Sequence, residues 1–210
     1  MTRRFLIADD HTVVREGLRQ MLQDAFPSAH VEEVSDGEDL LRRVMADSWD
    51  LVISDITMPG RSGLEVLKQI KQNHPKLPVL ILSMHQEDHY AIRALKAGAS
   101  GYLNKDCDQK ELVEAINRLM LGKKYITFSV AEKLTSNFEK DAEKLPHELL
   151  SDREFEVFKS LASGKTVSDI ADQLFLSTNT VSTYRARILT KMHLKSNAEL
   201  TVYAMENKLL

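Results

Sequence analysis

The sequence predicts an α/β domain, with a doubly wound five-stranded parallel sheet, followed by a small all-α helix-turn-helix domain. Three observations lead to this. Up to residue 121, short apolar runs alternate with amphipathic stretches. From Leu149 onward, every apolar pattern has helical spacing. Between them lies a polar segment, residues 122–148, with five basic and five acidic side chains. The organisation expected is therefore 1–121, a linker over 122–148, and 149–210.

Strands are expected at residues 4–8, 29–34, 50–54, 78–83 and 101–103. The third and fourth contain unbroken apolar runs, Leu51-Val52-Ile53 and Val79-Leu80-Ile81-Leu82, as strands covered on both faces require. Helical spacing follows each strand. The first set is Val13, Val14, Leu18, Met21 and Leu22, and the second is Leu40, Leu41, Val44 and Met45. Leu64, Val66, Leu67 and Ile70 come next, then Tyr90, Ile92, Leu95 and Ala99. Leu112, Val113, Ile116, Leu119 and Met120 complete the series. Five strand–helix units imply right-handed crossovers and helices on both faces of a parallel sheet. In the linker, Val130, Leu134 and Phe138 keep helical spacing, so a helix is expected within 129–144.

In the last part, Ser151-Asp152-Arg153-Glu154 and Ser196-Asn197-Ala198-Glu199 have capping-box spacing. Phe155, Val157, Phe158, Leu161 and Ala162 mark a helix stopped at Gly164. Residues 167–174 form a short second helix, Ser177 opens a third running to about Met192, and 197–207 form a fourth. The second and third, joined by the tight turn Phe175-Leu176-Ser177, fit a helix-turn-helix whose second helix reads the major groove.

Composition is that of a globular protein: 43% apolar, 28% charged, 6% aromatic. No apolar run approaches the roughly 20 residues needed to span a bilayer. Met1-Thr2-Arg3-Arg4 leads into a strand with no signal-peptide pattern. Cys107 is the single cysteine, which excludes an internal disulfide and a cysteine-built metal site. A cytoplasmic location, an inert thiol and no membrane partner are expected. Charge is uneven. Residues 1–121 carry −4, 122–148 carry 0 and 149–210 carry +1. No acid occurs from Gln173 to Ala198, where Arg185, Arg187, Lys191 and Lys195 give a local +4. Such a run fits a polyanion-facing surface or, equally on charge alone, a solvated helix face.

The chemistry gathers at one sheet edge. Asp55 closes the third strand next to a Pro/Gly turn, where open α/β sheets place their ligands. Asp9 and Asp10 close the first strand and Lys105 follows the fifth. Three acids and one lysine converging there can hold a hard cation and a phosphoryl group. Neither GxGxxG nor GxxxxGK[ST] occurs, which counts against a nucleotide-binding enzyme.

Residues 1–121 resemble a response-regulator receiver domain, a flavodoxin-like fold. The matching residues are Ala8-Asp9-Asp10-His11, the stretch from Asp55 through Thr57, Met58, Pro59 and Gly60 to Gly63, Ser83, and the stretch from Lys96 to Lys105. Residues 149–210 resemble the LuxR-type helix-turn-helix through Leu150-Ser151-Asp152-Arg153-Glu154, Ala162-Ser163-Gly164, Asp169-Ile170-Ala171, Leu176-Ser177, Thr180-Val181 and Lys191-Met192. In this order the two halves resemble the NarL/FixJ subfamily of two-component response regulators, over nearly the whole chain except the linker. The third helix is similar to the branch reading Thr-Val-Ser-Thr-Tyr.

The resemblance implies that Asp55 is the phosphoacceptor for a sensor histidine kinase. It implies Mg²⁺ held by Asp9, Asp10, Asp55 and the backbone carbonyl of Thr57, an oxygen set that this cation prefers. Lys105 would pair with a phosphoryl oxygen. Ser83 and Tyr102 would be the switch residues that move when the charge arrives. Asp106 follows Lys105 where many receivers carry a proline in a cis peptide, so a trans bond is expected. His11 and His85 lie near the acids but are poor ligands for Mg²⁺.

For the output half, a helical wheel of 177–192 puts Val181, Ile188 and Met192 on one face with Leu189 at its edge. Asn179, Thr183, Ala186, Arg187 and Thr190 lie opposite, with Ser182 on the flank. Ser182, Thr183 and Arg187 are the expected contacts to base edges or nearby phosphates. Arg185 lies near the core edge, its head reaching a phosphate. Lys191 and Lys195 are expected on backbone phosphates, with Thr180 and the helix N-terminal amides holding another. Many relatives carry Lys in place of Ser182 and His in place of Tyr184, so a target sequence does not carry over. A small domain binds weakly alone, so a homodimer on double-stranded DNA is expected upon activation, with the last helix (Leu200, Val202, Tyr203, Met205) as a candidate face. Contact with RNA polymerase is a further implied partner.

The function expected is thus phosphorylation-dependent transcriptional regulation, not enzymatic turnover. An aspartyl-phosphate phosphatase is the enzymatic rival, but no second carboxylate stands two residues after Asp55. The other rival is a DNA-binding regulator whose receiver serves only to dimerise.

Overall fold

A computed structural model describes residues 2–58, 61–84, 87–127, 130–131 and 145–210, with the side chains of 87–89 outside the description. Of the expected linker helix only residues 130–131 are described; both are helical, and Val130 is buried. Pro59, Gly60 and His85 lie outside the described residues. The chain divides into two compact units, Met1–Asn137 and Phe138–Leu210.

The first unit is the predicted doubly wound sheet. Strands β1 (Arg4–Ala8), β2 (His30–Val34), β3 (Leu51–Asp55), β4 (Val79–Ser83) and β5 (Gly101–Asn104) are all parallel in the order β2-β1-β3-β4-β5. Strand β1 falls where expected and the others shift at one or both ends by a residue; one shift matters: Asp55 is the last paired residue of β3, opposite Leu82. Helices α1 (Thr12–Ala25), α2 (Gly37–Ala46), α3 (Gly63–Asn73), α4 (Glu87–Lys96) and α5 (Gln109–Met120) alternate with the strands.

Leu18 and Leu22 of α1, with Leu112, Ala115, Ile116 and Leu119 of α5, cover one sheet face made of Phe5, Ile7, Leu51, Ile53, Leu80, Leu82 and Leu103. The opposite face is buried too, so β3 and β4 are inaccessible along their whole length. This explains their continuous apolar runs. Strand β2 is a sheet edge and is only partly buried, which lets it carry Glu32 and Glu33. Val13 departs from the expected core stripe: it is exposed, while Leu18 and Leu22 carry the burial of α1. Side-chain caps begin α2 at Asp36, α3 at Ser62 and α5 at Asp108.

The second unit opens with a 3₁₀ turn, Pro146–Leu149, followed by α6 (Asp152–Ala162), α7 (Val167–Leu174), α8 (Thr178–Met192) and α9 (Asn197–Glu206). Both bonds of the expected capping box at Ser151 and Glu154 are present. At Ser196 only half of the expected box forms. Ser196 accepts from Glu199 N–H, but the Glu199 carboxylate takes the N–H of Lys195 instead. Helix α7 ends at Phe175, held at φ 53°, and α8 starts one residue after the Leu176 turn with Ser177 as its cap. Among the described residues no helix is long and apolar enough to cross a membrane.

Candidate phosphoacceptor site and DNA-reading helix

Register brings the predicted acids together. Ala8 pairs with Ser54 across β1 and β3, so the residues following them, Asp9 and Asp55, emerge side by side at the C-terminal edge. Lys105 N–H donates to Ser83 O at 3.0 Å, which ties the end of β5 to the end of β4. Lys105 Nζ then lies 2.6 Å from Asp9 Oδ2 and 2.8 Å from Asp55 Oδ2, with all three side chains nearly inaccessible. Ile56 N–H donates to Asp55 Oδ1 at 2.7 Å.

Gly63, which the sequence offered only as the end of the matching stretch and without a role, closes this loop. Its N–H donates to Ile56 O at 2.7 Å, and a Cβ there would overlap the Asp55 carbonyl oxygen. Only glycine allows the start of α3 to fold back so tightly.

Electrostatics follow from burial. Burial pushes the Asp55 carboxyl up to about 6, against the pull of Lys105. Burial also works against the Lys105 ammonium, but Asp55 and Asp9 outweigh it and hold this lysine above its ordinary value.

Asp9, Asp10, His11 and Asp55 have ligand atoms within 4.8 Å of one another. Asp9 Oδ2 and Asp10 Oδ1 are shielded from solvent and accept no well-formed hydrogen bond; their close neighbours are Lys105 Nζ and His11 Nδ1. A set dominated by carboxylate oxygens suits a hard divalent cation such as Mg²⁺. His11 belongs to the cluster by position and is largely exposed. Ser83 and Tyr102 are buried, and Thr57 is half-buried beside Asp55. Among the described residues no peptide bond is cis, the Lys105–Asp106 bond included.

In the second unit, Val181, Ile188 and Met192 are the buried stripe of α8, with Leu189 half-buried. Asn179, Ser182, Thr183, Ala186, Arg187 and Thr190 are exposed. Asn179, Thr180, Thr183, Tyr184 and Arg187 line a shallow recess of about 300 Å³ on that helix. Thr180 N–H and its hydroxyl are engaged by Ser177 Oγ, which caps the helix. Two of the cations expected on phosphates have side-chain partners inside the domain. Lys191 Nζ donates to Glu154 Oε2 at 2.6 Å, and Arg185 Nε donates to Asn197 Oδ1 at 2.7 Å. Glu154 is buried, which opposes its charge, yet Lys191 and the Ser151 cap hold its pKa below the ordinary value. Glu154 and Asn197 were visible in the sequence only as helix-start residues. Lys195 is exposed, and its N–H caps Glu199.

Residues 5–117 match the response regulator receiver domain family, and 148–204 match the bacterial regulatory proteins of the luxR family. The response regulator GacA of Pseudomonas viridiflava is 35% identical over 205 residues, covering 97% of this chain and 96% of its own. RcsB from Salmonella enterica serovar Typhimurium, solved bound to promoter P1flhDC with the phosphomimetic BeF3⁻, is 27% identical. Its TM-score is 0.60, with 97% of this chain and 98% of that one covered. A structure of two RcsB dimers bound to two parallel DNAs is 26% identical, with a TM-score of 0.60 over 98% of each chain. With a receiver sheet carrying its acids and lysine, a DNA-binding helical domain after it, and relatives matched end to end, the chain belongs to the NarL/FixJ family of two-component response regulators.

Proposed function

We propose that Asp55 accepts a phosphoryl group from a sensor histidine kinase and that this step controls self-association and DNA affinity. The observation that carries the reading is the buried Asp55–Lys105–Asp9 constellation at the edge of a parallel sheet. An Asp55 oxygen attacks the phosphorus of the kinase's phosphohistidine, a P–O bond forms, and the P–N bond breaks with its electron pair going to the imidazole. Lys105, already 2.8 Å from Asp55, neutralises a phosphoryl oxygen as a point charge.

Asp9, Asp10, Asp55 and the Thr57 carbonyl would hold Mg²⁺, which when bound supplies the charge that offsets carboxylate and phosphoryl repulsion. The Ser83 hydroxyl, tied through its backbone to Lys105, is the group that turns to the new oxygens, and Tyr102 moves behind it. The functional limits proposed are a receiver over 1–121, a linker over 122–148 and a DNA-binding domain over 149–210.

On DNA, Ser182, Thr183 and Arg187 meet base edges or nearby phosphates, while Thr180 and Lys195 meet the backbone. Helix α9 keeps Val202 and Met205 exposed, an apolar face suited to a second copy. That a relative binds DNA as dimers supports this. Two linked copies on a two-fold site gain avidity that one small domain lacks.

The test compares sedimentation and DNA binding of wild type and Asp55→Ala, with and without beryllofluoride plus Mg²⁺. Wild type alone is expected to shift to dimer and bind more tightly. Equal, tight DNA binding in all samples would sink phosphorylation control and leave a constitutive DNA-binding regulator.

A further inference from the structure

Helix α8 carries three cations, and two are already engaged within the domain. At roughly 100° per residue, Lys191 and Arg185 lie on opposite flanks of the Val181–Ile188–Met192 stripe, while Arg187 points away from it. Lys191 Nζ meets Glu154 Oε2 at 2.6 Å, and the Glu154 side chain is only 4% exposed. The same oxygen accepts the Ser151 N–H at 2.8 Å, so the cap of α6 and the seat of α8 share one carboxylate. On the other flank Arg185 Nε meets Asn197 Oδ1 at 2.7 Å, at the first residue of α9. Among the described residues Arg187 has no comparable partner and lines the α8 recess beside Asn179 and Thr183.

We propose that Lys191 and Arg185 are positioning residues that fix the roll of α8, and that Arg187 is the one cation this helix presents to DNA. The proposal rests on the reading above that α8 faces DNA.

The physical reason is leverage. Val181, Ile188 and Met192 are apolar contacts without direction, so they hold the helix down but resist rolling weakly. Two polar bonds on either flank set its rotation. Base-edge reading tolerates misplacement of only about 0.5 Å or 10–20°. A buried carboxylate is costly to strand, so Glu154 retains Lys191 against a competing phosphate. Their charges cancel, which removes Lys191 from the local +4 that the sequence offers to a polyanion.

The test measures affinity against salt, using a labelled duplex selected from a randomised pool by the wild-type chain with beryllofluoride and Mg²⁺. Glu154→Gln is the deciding variant, because it frees Lys191 while leaving an oxygen to cap Ser151. Positioning predicts that Glu154→Gln and Lys191→Gln each lower affinity about tenfold and relax sequence preference, with the salt slope unchanged. Lys191→Arg, which can still pair with Glu154, restores both. Asn197→Ala makes the same distinction for Arg185. Thermal unfolding of each variant confirms that the domain is folded, and the double variant Glu154→Gln/Lys191→Gln, with no stranded charge, repeats the result if a single variant unfolds. Unchanged or higher affinity for Glu154→Gln, or a slope reduced by about one for Lys191→Gln, would overturn the proposal. Arg187→Ala separates the two ideas: if it alters neither affinity nor slope, α8 does not face DNA.

Discussion

At Asp55 the structure stores a conflict that ligands can relieve. Its carboxylate is buried between Lys105 and the end of a fully covered strand, and burial pushes its pKa up from 3.8 to about 6. A raised folded-state value means that Asp55 supports the fold below pH 3.8, and that this support is lost as pH rises through about 6. Above that, ionised Asp55 strains the metal-free receiver. Asp55→Asn, which mimics the neutral acid, is therefore expected to raise stability at pH 8 by about 3 kcal/mol. The gain should disappear near pH 4, where wild type is itself protonated. Urea unfolding at the two pH values checks it, and equal stabilities at pH 8 would refute the strain. Wild type, but much less the variant, should also be stabilised by Mg²⁺, because the cation relieves the same repulsion.

Helices and strands carry their own constraints, and the edge of β5 shows one. Tyr125 lies beyond α5, yet it forms a parallel bridge to Gly101 and donates its N–H to Ser100 O at 3.0 Å. Its hydroxyl lies 3.4 Å from Glu111, and the Arg118 guanidinium sits 5.7 Å from its ring. The start of the linker is thus laid on the sheet. A Cβ at Gly101 would sit 3.1 Å from Tyr125 O and 3.2 Å from its Cβ, with Leu80 Cδ1 also at 3.1 Å. Gly101→Ala is expected to lift residue 125 from the edge at a cost of about 1–2 kcal/mol, and to speed tryptic cleavage after Lys123 and Lys124. Unaltered cleavage would show that the bridge does not restrain the linker. This rung was not legible in the sequence, since a single bridging residue leaves no pattern. Strands β3 and β4 were legible because sheets covered on both faces need their continuous apolar runs, and the other three because short apolar runs alternate there with helical spacing. The acids and lysine were legible because each ends or follows such a run. The partners of Lys191 and Arg185 were not, because Glu154 is 37 residues away and Asn197 belongs to another helix. Wheel geometry could place both cations beside the core but not say what would meet them there.

Over the whole chain, charge bears on how the proposed phosphorylation of Asp55 would act. Residues 1–121 already carry −4, and a phosphoryl group adds about −1.5 to −2. Phosphorylation at Asp55 would therefore make this half less attractive to DNA, so a gain in affinity on activation would need another origin. The proposed origin is two copies acting on one site. Each copy brings the same few phosphate contacts, and each contact contributes about −0.9 to the slope of log affinity against log salt. An activated dimer is then expected to show roughly twice the slope of the unactivated chain, measured per bound complex. Purely conformational release of a monomeric DNA-binding domain would raise affinity while leaving that slope as it was. Titrations at several salt concentrations, with and without beryllofluoride plus Mg²⁺, distinguish these, and Asp55→Ala should keep the shallow slope throughout. A steep slope in the variant would mean that pairing on DNA does not depend on Asp55.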